Sequence, residues 1–172
     1  INNELKDLDL KKNLEAKFVL CQKAEELLSE PNAVNAFRKL QEFHDQWREI
    51  GPVPPESKES TWERFKEATT QINKRHHEFF DKQKEDQKKN LDVKIALCEE
   101  VEAINKIELK SFKEFNDKAE AVVAIQQRWR KTGFTPKKQN NKIYQRFREA
   151  CDQFFEKKRV FYNDNKEVQQ SN

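Results

Sequence analysis

Two blocks of this chain, 82 residues apart, carry the same arrangement of aromatics and helix breakers. Trp47-Arg-Glu-Ile-Gly-Pro-Val-Pro54 followed by Trp62-Glu-Arg-Phe-Lys-Glu-Ala68 returns as Trp129-Arg-Lys-Thr-Gly-Phe-Thr-Pro136 followed by Tyr144-Gln-Arg-Phe-Arg-Glu-Ala150. Upstream, Asn13-Leu-Glu-Ala-Lys-Phe-Val-Leu-Cys21 matches Asn90-Leu-Asp-Val-Lys-Ile-Ala-Leu-Cys98 at an offset of 77, so the second copy holds five extra residues between its blocks. A fixed period of this length specifies a tandem array rather than a single irregular core. It predicts a first unit over residues 13–89 and a second over 90–172, with residues 1–12 resembling the tail of a preceding unit. Residues 163–172 align with 81–90, so the chain reads as a piece of a longer array.

Breakers divide each unit into three helices. Leu10, Leu14, Phe18, Cys21 and Leu28 recur at the three-to-four-residue spacing of one apolar stripe on a first helix. Pro31 ends it, and Asn32 is the expected N-cap of a second helix bearing Val34, Phe37, Leu40, Phe43, Trp47 and Ile50. Gly51 stands where a left-handed helix terminus is expected, and the following prolines forbid continuation. A third helix starts near Ser57 and carries Trp62, Phe65, Ile72, Phe79 and Phe80. With no Gly or Pro between Pro55 and Gly133, the helical pattern runs on to about Asn105, joining the third helix of one unit to the first of the next. The polar stretch Asp81–Lys89 is the point where a bridge or a hinge remains open. In unit two, the second helix is expected over roughly Ser111–Lys131 and the third over Lys138–Glu167. The fold class is therefore all-α, an elongated tandem array of two three-helix units on a long shared helix.

At 38% charged and 35% hydrophobic residues the chain is very polar, but its 13 Phe and 3 Trp fall at helical spacing, which favours a folded array over disorder. No apolar run approaches the roughly 20 residues that span a bilayer. Cys21 and Cys98 share one repeat position and Cys151 stands apart; three cysteines on apolar faces read as small buried hydrophobes in a reducing compartment, hence a cytoplasmic location.

The Trp-Arg-x-x-Gly-x-x-Pro turn followed by an aromatic-x-Arg-Phe helix resembles the bacterial repeat family catalogued as domain of unknown function 349. The likeness covers both units, and unit two departs mildly at Tyr144, where unit one has Trp62. It implies a helical repeat fold and leaves the activity open.

Trp47, Trp62 and Phe65, with Trp129, Tyr144 and Phe147, are expected to form the structural core that packs the second helix on the third; partly exposed stacking platforms for bases are the alternative. Arg48/Arg130 and Arg64/Arg146 recur at fixed unit positions, where the second pair can stack on a ring, pair with a carboxylate or bind phosphate. Charge is lopsided: residues 1–86 carry 15 basic and 18 acidic groups, net −3, and residues 87–172 carry 19 and 13, net +6. From Ala121 to Arg148 there is no Asp or Glu, while Arg128, Arg130, Lys131, Lys137, Lys138, Lys142, Arg146 and Arg148 are all basic. Lys138, Lys142 and Arg146 follow an i, i+4, i+8 stripe, which with Lys131 and Lys137 predicts a compact basic patch suited to phosphates.

Nothing indicates catalysis. His76 and His77 point to different sides of a helix, no Cys/His set has zinc spacing, and two isolated glycines make no phosphate loop. No cofactor, metal or small-molecule substrate is expected, and no membrane. The chain reads as a non-catalytic module that docks on nucleic acid or a ribonucleoprotein surface through unit two. The alternative is a protein–protein scaffold whose basic patch meets an acidic partner.

Overall fold

The computed structural model describes residues 2–166; the expected end of the last helix at Glu167 lies outside them. All regular structure among the described residues is helical: α1 (Asn2–Glu26), α2 (Ala33–Glu49), α3 (Pro55–Asn105), α4 (Phe112–Lys131) and α5 (Lys137–Asp164), with a 3-10 turn at Leu27–Ser29. The chain divides into two compact units between Lys82 and Gln83, earlier than the 89/90 boundary of the sequence period. The helix α3 runs uninterrupted for 51 residues, so Asp81–Lys89 is helical throughout.

Local sequence explains the ends. Asn32 caps α2 by accepting from the backbone N–H groups of Val34 and Asn35, and Ser111 caps α4 by accepting from Glu114. At Ser111 the cap is reciprocal, because the Glu114 carboxylate accepts from the Lys110 N–H at 2.7 Å. Pro55 opens α3, where a missing N–H costs nothing. The expected left-handed glycine terminus is not what ends α2 and α4. Ile50 and Thr132 leave the helix in an extended conformation, and neither glycine has positive φ.

Gly51 and Gly133 serve a close approach instead. A Cβ at Gly51 would lie 2.9 Å from Asn13 Nδ2, and one at Gly133 would lie 2.8 Å from Asn90 Nδ2. Those amides donate to the Pro52 carbonyl at 2.7 Å and the Phe134 carbonyl at 2.9 Å. The turn is thus clasped to the first helix of its unit by an Asn that leaves no room for a side chain.

In unit one, Cys21, Ala24 and Leu27 meet Ala36, Leu40, Phe65, Ala68 and Ile72. In unit two, Leu97, Cys98, Val101 and Ile104 meet Phe115, Val122 and Ile125 from α4 and Ile143, Phe147, Cys151 and Phe154 from α5. Phe18, placed on the apolar stripe by its spacing, is 42% exposed; Leu20 and Ala24 carry that face with Cys21. The five extra residues of unit two lengthen its first two helices. The extension of α4 adds Phe112, which meets Phe161 and Tyr162, and Phe115, standing where unit one has Ala33, meets Phe161, with ring centroids 4.7–5.2 Å apart. The counterparts of Phe161 and Tyr162 in unit one, Phe79 and Phe80, are 46% and 38% exposed.

Candidate nucleic-acid interface

Six aromatics were expected in the core, and the structure divides them. Phe65 and Phe147 are buried, and the half-buried Trp47 and Trp129 lie flat on them, with centroids 4.4 Å and 4.2 Å apart and ring planes within 9°. Trp62 and Tyr144 are not core: they are 44% and 53% exposed. The reason is helical phase. Thr61 and Ile143, one residue earlier, take the inward position a turn before Phe65 and Phe147, which rotates Trp62 and Tyr144 about 100° off the buried stripe.

Each stacked Trp carries a lysine on its ring. Lys17 Nζ lies 4.7 Å from the Trp47 centroid and Lys94 Nζ lies 4.8 Å from that of Trp129. Lys94 is buried with no carboxylate partner among the described residues, and burial holds its pKa below the ordinary value. The ring face supplies the compensating attraction.

The basic residues of unit two also divide. Arg146 is bound by Glu102 of α3 through two hydrogen bonds of 3.0 Å and 2.7 Å, and Arg64 is bound in the same way by Glu25 of α1. These pairs hold the carboxyls of Glu102 and Glu25 below the usual range by direct hydrogen bonding from the guanidinium. Arg146 is therefore a strut between helices and not a free member of a stripe with Lys138 and Lys142. Arg128 pairs with Glu100 at 2.9 Å, and Arg148 approaches Asp152 at 3.7 Å. The acid-free stretch is thus partly neutralised by carboxylates from outside it. Arg130, Lys131, Lys137, Lys138 and Lys142 are exposed and have no carboxylate within 4.0 Å among the described residues.

Part of this set surrounds a concave surface of about 760 Å³, where Arg130, Lys131 and Arg148 meet Trp129, Phe134 and Tyr144. Lys94 also lines it, and Asp152 is its one carboxylate. Phe134 is 81% exposed although its carbonyl is tied to Asn90. Lys142 and Arg146 line a different concavity with Glu149, on another side of α5, so the expected patch is not one continuous surface. Lys94 escaped the sequence reading, and Phe134 was not among its candidate site residues. Lys17 and Lys94 do recur at the 77-residue offset, and Phe134 replaces Pro52 of unit one, so both signals were present.

Unit one lacks this chemistry. At the positions of Lys131, Phe134, Lys137 and Lys138 it has Glu49, Pro52, Pro55 and Glu56.

The sequence matches the profile of the Domain of Unknown Function (DUF349) over residues 1–56 and 60–138. The chain belongs to the DUF349 family. Each matched segment of this DUF349 chain runs from a long helix through the next helix to the Gly-x-x-Pro turn, so Lys94, Trp129 and Phe134 fall within it and Tyr144 and Arg148 beyond it. Comparison with characterised proteins and with solved structures returned no match. Among the described residues, no group of three His, Cys, Asp or Glu is placed to hold a metal ion, and no helix is long and apolar enough to cross a membrane. The cysteines are buried; burial raises all three thiol pKa values, that of Cys98 to about 11.

Proposed function

We propose that this protein is a non-catalytic helical repeat module that binds nucleic acid, free or on a ribonucleoprotein surface, through exposed cations of its second unit. The supporting observation is the set of five exposed cations, Arg130, Lys131, Lys137, Lys138 and Lys142, left without carboxylate partners after the internal ion pairs are formed. Such charges release counterions when they meet phosphates and give affinity that is steeply salt-dependent and largely blind to sequence. The buried, protonated thiols fit a structural role in a reducing compartment such as the cytoplasm.

The test is fluorescence anisotropy with labelled oligonucleotides across a salt series. With all five cations engaged, log K should fall by roughly 3.5 per decade of salt for a single strand and 4.5 for a duplex. Lys131→Glu, Lys138→Glu and Lys142→Glu combined should abolish most binding, whereas Lys58→Glu with Lys66→Glu in unit one should change it little. No binding to any oligonucleotide at ~50 mM salt, where screening is weak, refutes the proposal and leaves docking on an acidic protein in its place.

A further inference from the structure

We infer that the ligand of the concave surface on unit two is single-stranded polynucleotide, with bases stacked on Phe134 and Tyr144. This rests on the nucleic-acid reading above and adds strandedness and a base-contacting pair to it. Phe134 sits at the turn between α4 and α5 with its backbone fixed: Asn90 holds its carbonyl at 2.9 Å, and the preceding Gly133 packs against the same amide. Its ring, 81% exposed, contributes almost nothing to the core. The equivalent Pro52 carbonyl accepts from Asn13 at 2.7 Å, so the clasp does not require an aromatic side chain at this position.

Tyr144 lies two turns into α5, 53% exposed, and its hydroxyl makes no hydrogen bond among the described residues. Among those residues, neither the Phe134 ring nor the Tyr144 ring meets another aromatic ring. Both are exposed on a surface that also presents Arg130, Lys131 and Arg148, with Asp152 its one carboxylate.

An exposed aromatic pair among cations distinguishes single strands from duplexes. In a duplex the base faces are already stacked on one another, and only phosphates and groove edges are presented. In a single strand the faces are free, and aromatic side chains capture them with little regard to sequence while flanking Lys and Arg hold the backbone. Here Arg130, Lys131 and Arg148 are the flanking charges. Beneath them, Lys94 adds a buried positive charge whose nearest compensation is the Trp129 ring at 4.8 Å. Exposed aromatics alone would serve an apolar protein surface equally well; the cations around them favour a polyanion.

The test uses the whole chain and labelled ~12-nucleotide probes, a length within the span that single-strand binders cover. Oligouridylate, oligodeoxythymidylate and a DNA duplex of the same length are compared at ~50 mM salt. Either single strand should bind at least ~10-fold more tightly than the duplex, and Phe134→Ala with Tyr144→Ala, removing two stacked bases, should weaken it by roughly 30-fold or more while leaving the melting temperature unchanged. Tyr144→Trp, which installs the residue of unit one, should retain binding because indole stacks as well as phenol. A duplex bound as tightly as a single strand, or a single-strand preference that survives in the double alanine variant, overturns the stacking inference and leaves the nucleic-acid reading standing. Failure of all three probes to bind overturns both.

Discussion

The clasp between Gly133 and Asn90 makes an unusual prediction: the effect of one substitution on stability should depend on another. Replacing Gly by Ala ordinarily stabilises a site of compatible backbone geometry by about 0.4–1 kcal/mol, because the unfolded chain loses freedom. Gly133 has no positive φ, so its backbone does not exclude alanine. The obstacle is Asn90, whose Nδ2 would lie 2.8 Å from the new Cβ. That amide terminates a flexible side chain and can swing aside, but in doing so it abandons the Phe134 carbonyl. The lost hydrogen bond costs about 0.5–1.5 kcal/mol, toward the lower end here because the bond is exposed. In the wild-type background, the two terms nearly cancel and Gly133→Ala should be close to neutral, within about 0.5 kcal/mol of zero. In an Asn90→Ala background both clash and bond are already gone, and the same change should stabilise by about 0.4–1 kcal/mol. Urea unfolding of the four members of the cycle, followed by Trp fluorescence, measures the difference directly. Gly51 with Asn13 repeats the geometry and offers an independent cycle. Equal effects of Gly133→Ala in the two backgrounds would refute the clasp as the reason for glycine.

Trp129→Ala should cost about 3 kcal/mol, the lower end of the range for large aromatic truncations because the ring is only half-buried, and urea unfolding should show it as a large fraction of a total near 5–15 kcal/mol. The Glu102–Arg146 pair links stability to acid. Glu102 titrates below its ordinary 4.5 in the folded chain, so the contribution is complete above that value and lost as pH falls through the lowered one. Glu102→Gln should remove that part of the acid sensitivity, at a cost near pH 7 of no more than ~1 kcal/mol given a pair about two-fifths exposed; an unchanged stability–pH profile would show that the pair contributes nothing.

The sequence alone determined what depends on neighbours along the chain. Breakers and caps placed the helices to within a few residues, because Asn32, Ser111, Pro55 and the Gly-Pro turns act on backbone groups a few positions away. The period announced two copies of one unit, and the absence of glycine and proline after Pro55 announced the long α3. Tertiary structure decided which side chains meet across helices. Arg146 looked free because its own stretch held no acid, yet Glu102, 44 residues away, neutralises it. Trp62 and Tyr144 looked like core because they are large and periodic, but one residue of helical phase, about 100°, gives the inward place to Thr61 and Ile143. Gly51 looked like a left-handed terminus until Asn13, 38 positions earlier, accounted for the missing side chain. Local pattern specifies helices because their hydrogen bonds close within four residues. A surface groove is made by residues brought together from different helices, so its charge and its open rings appear only once those helices have packed.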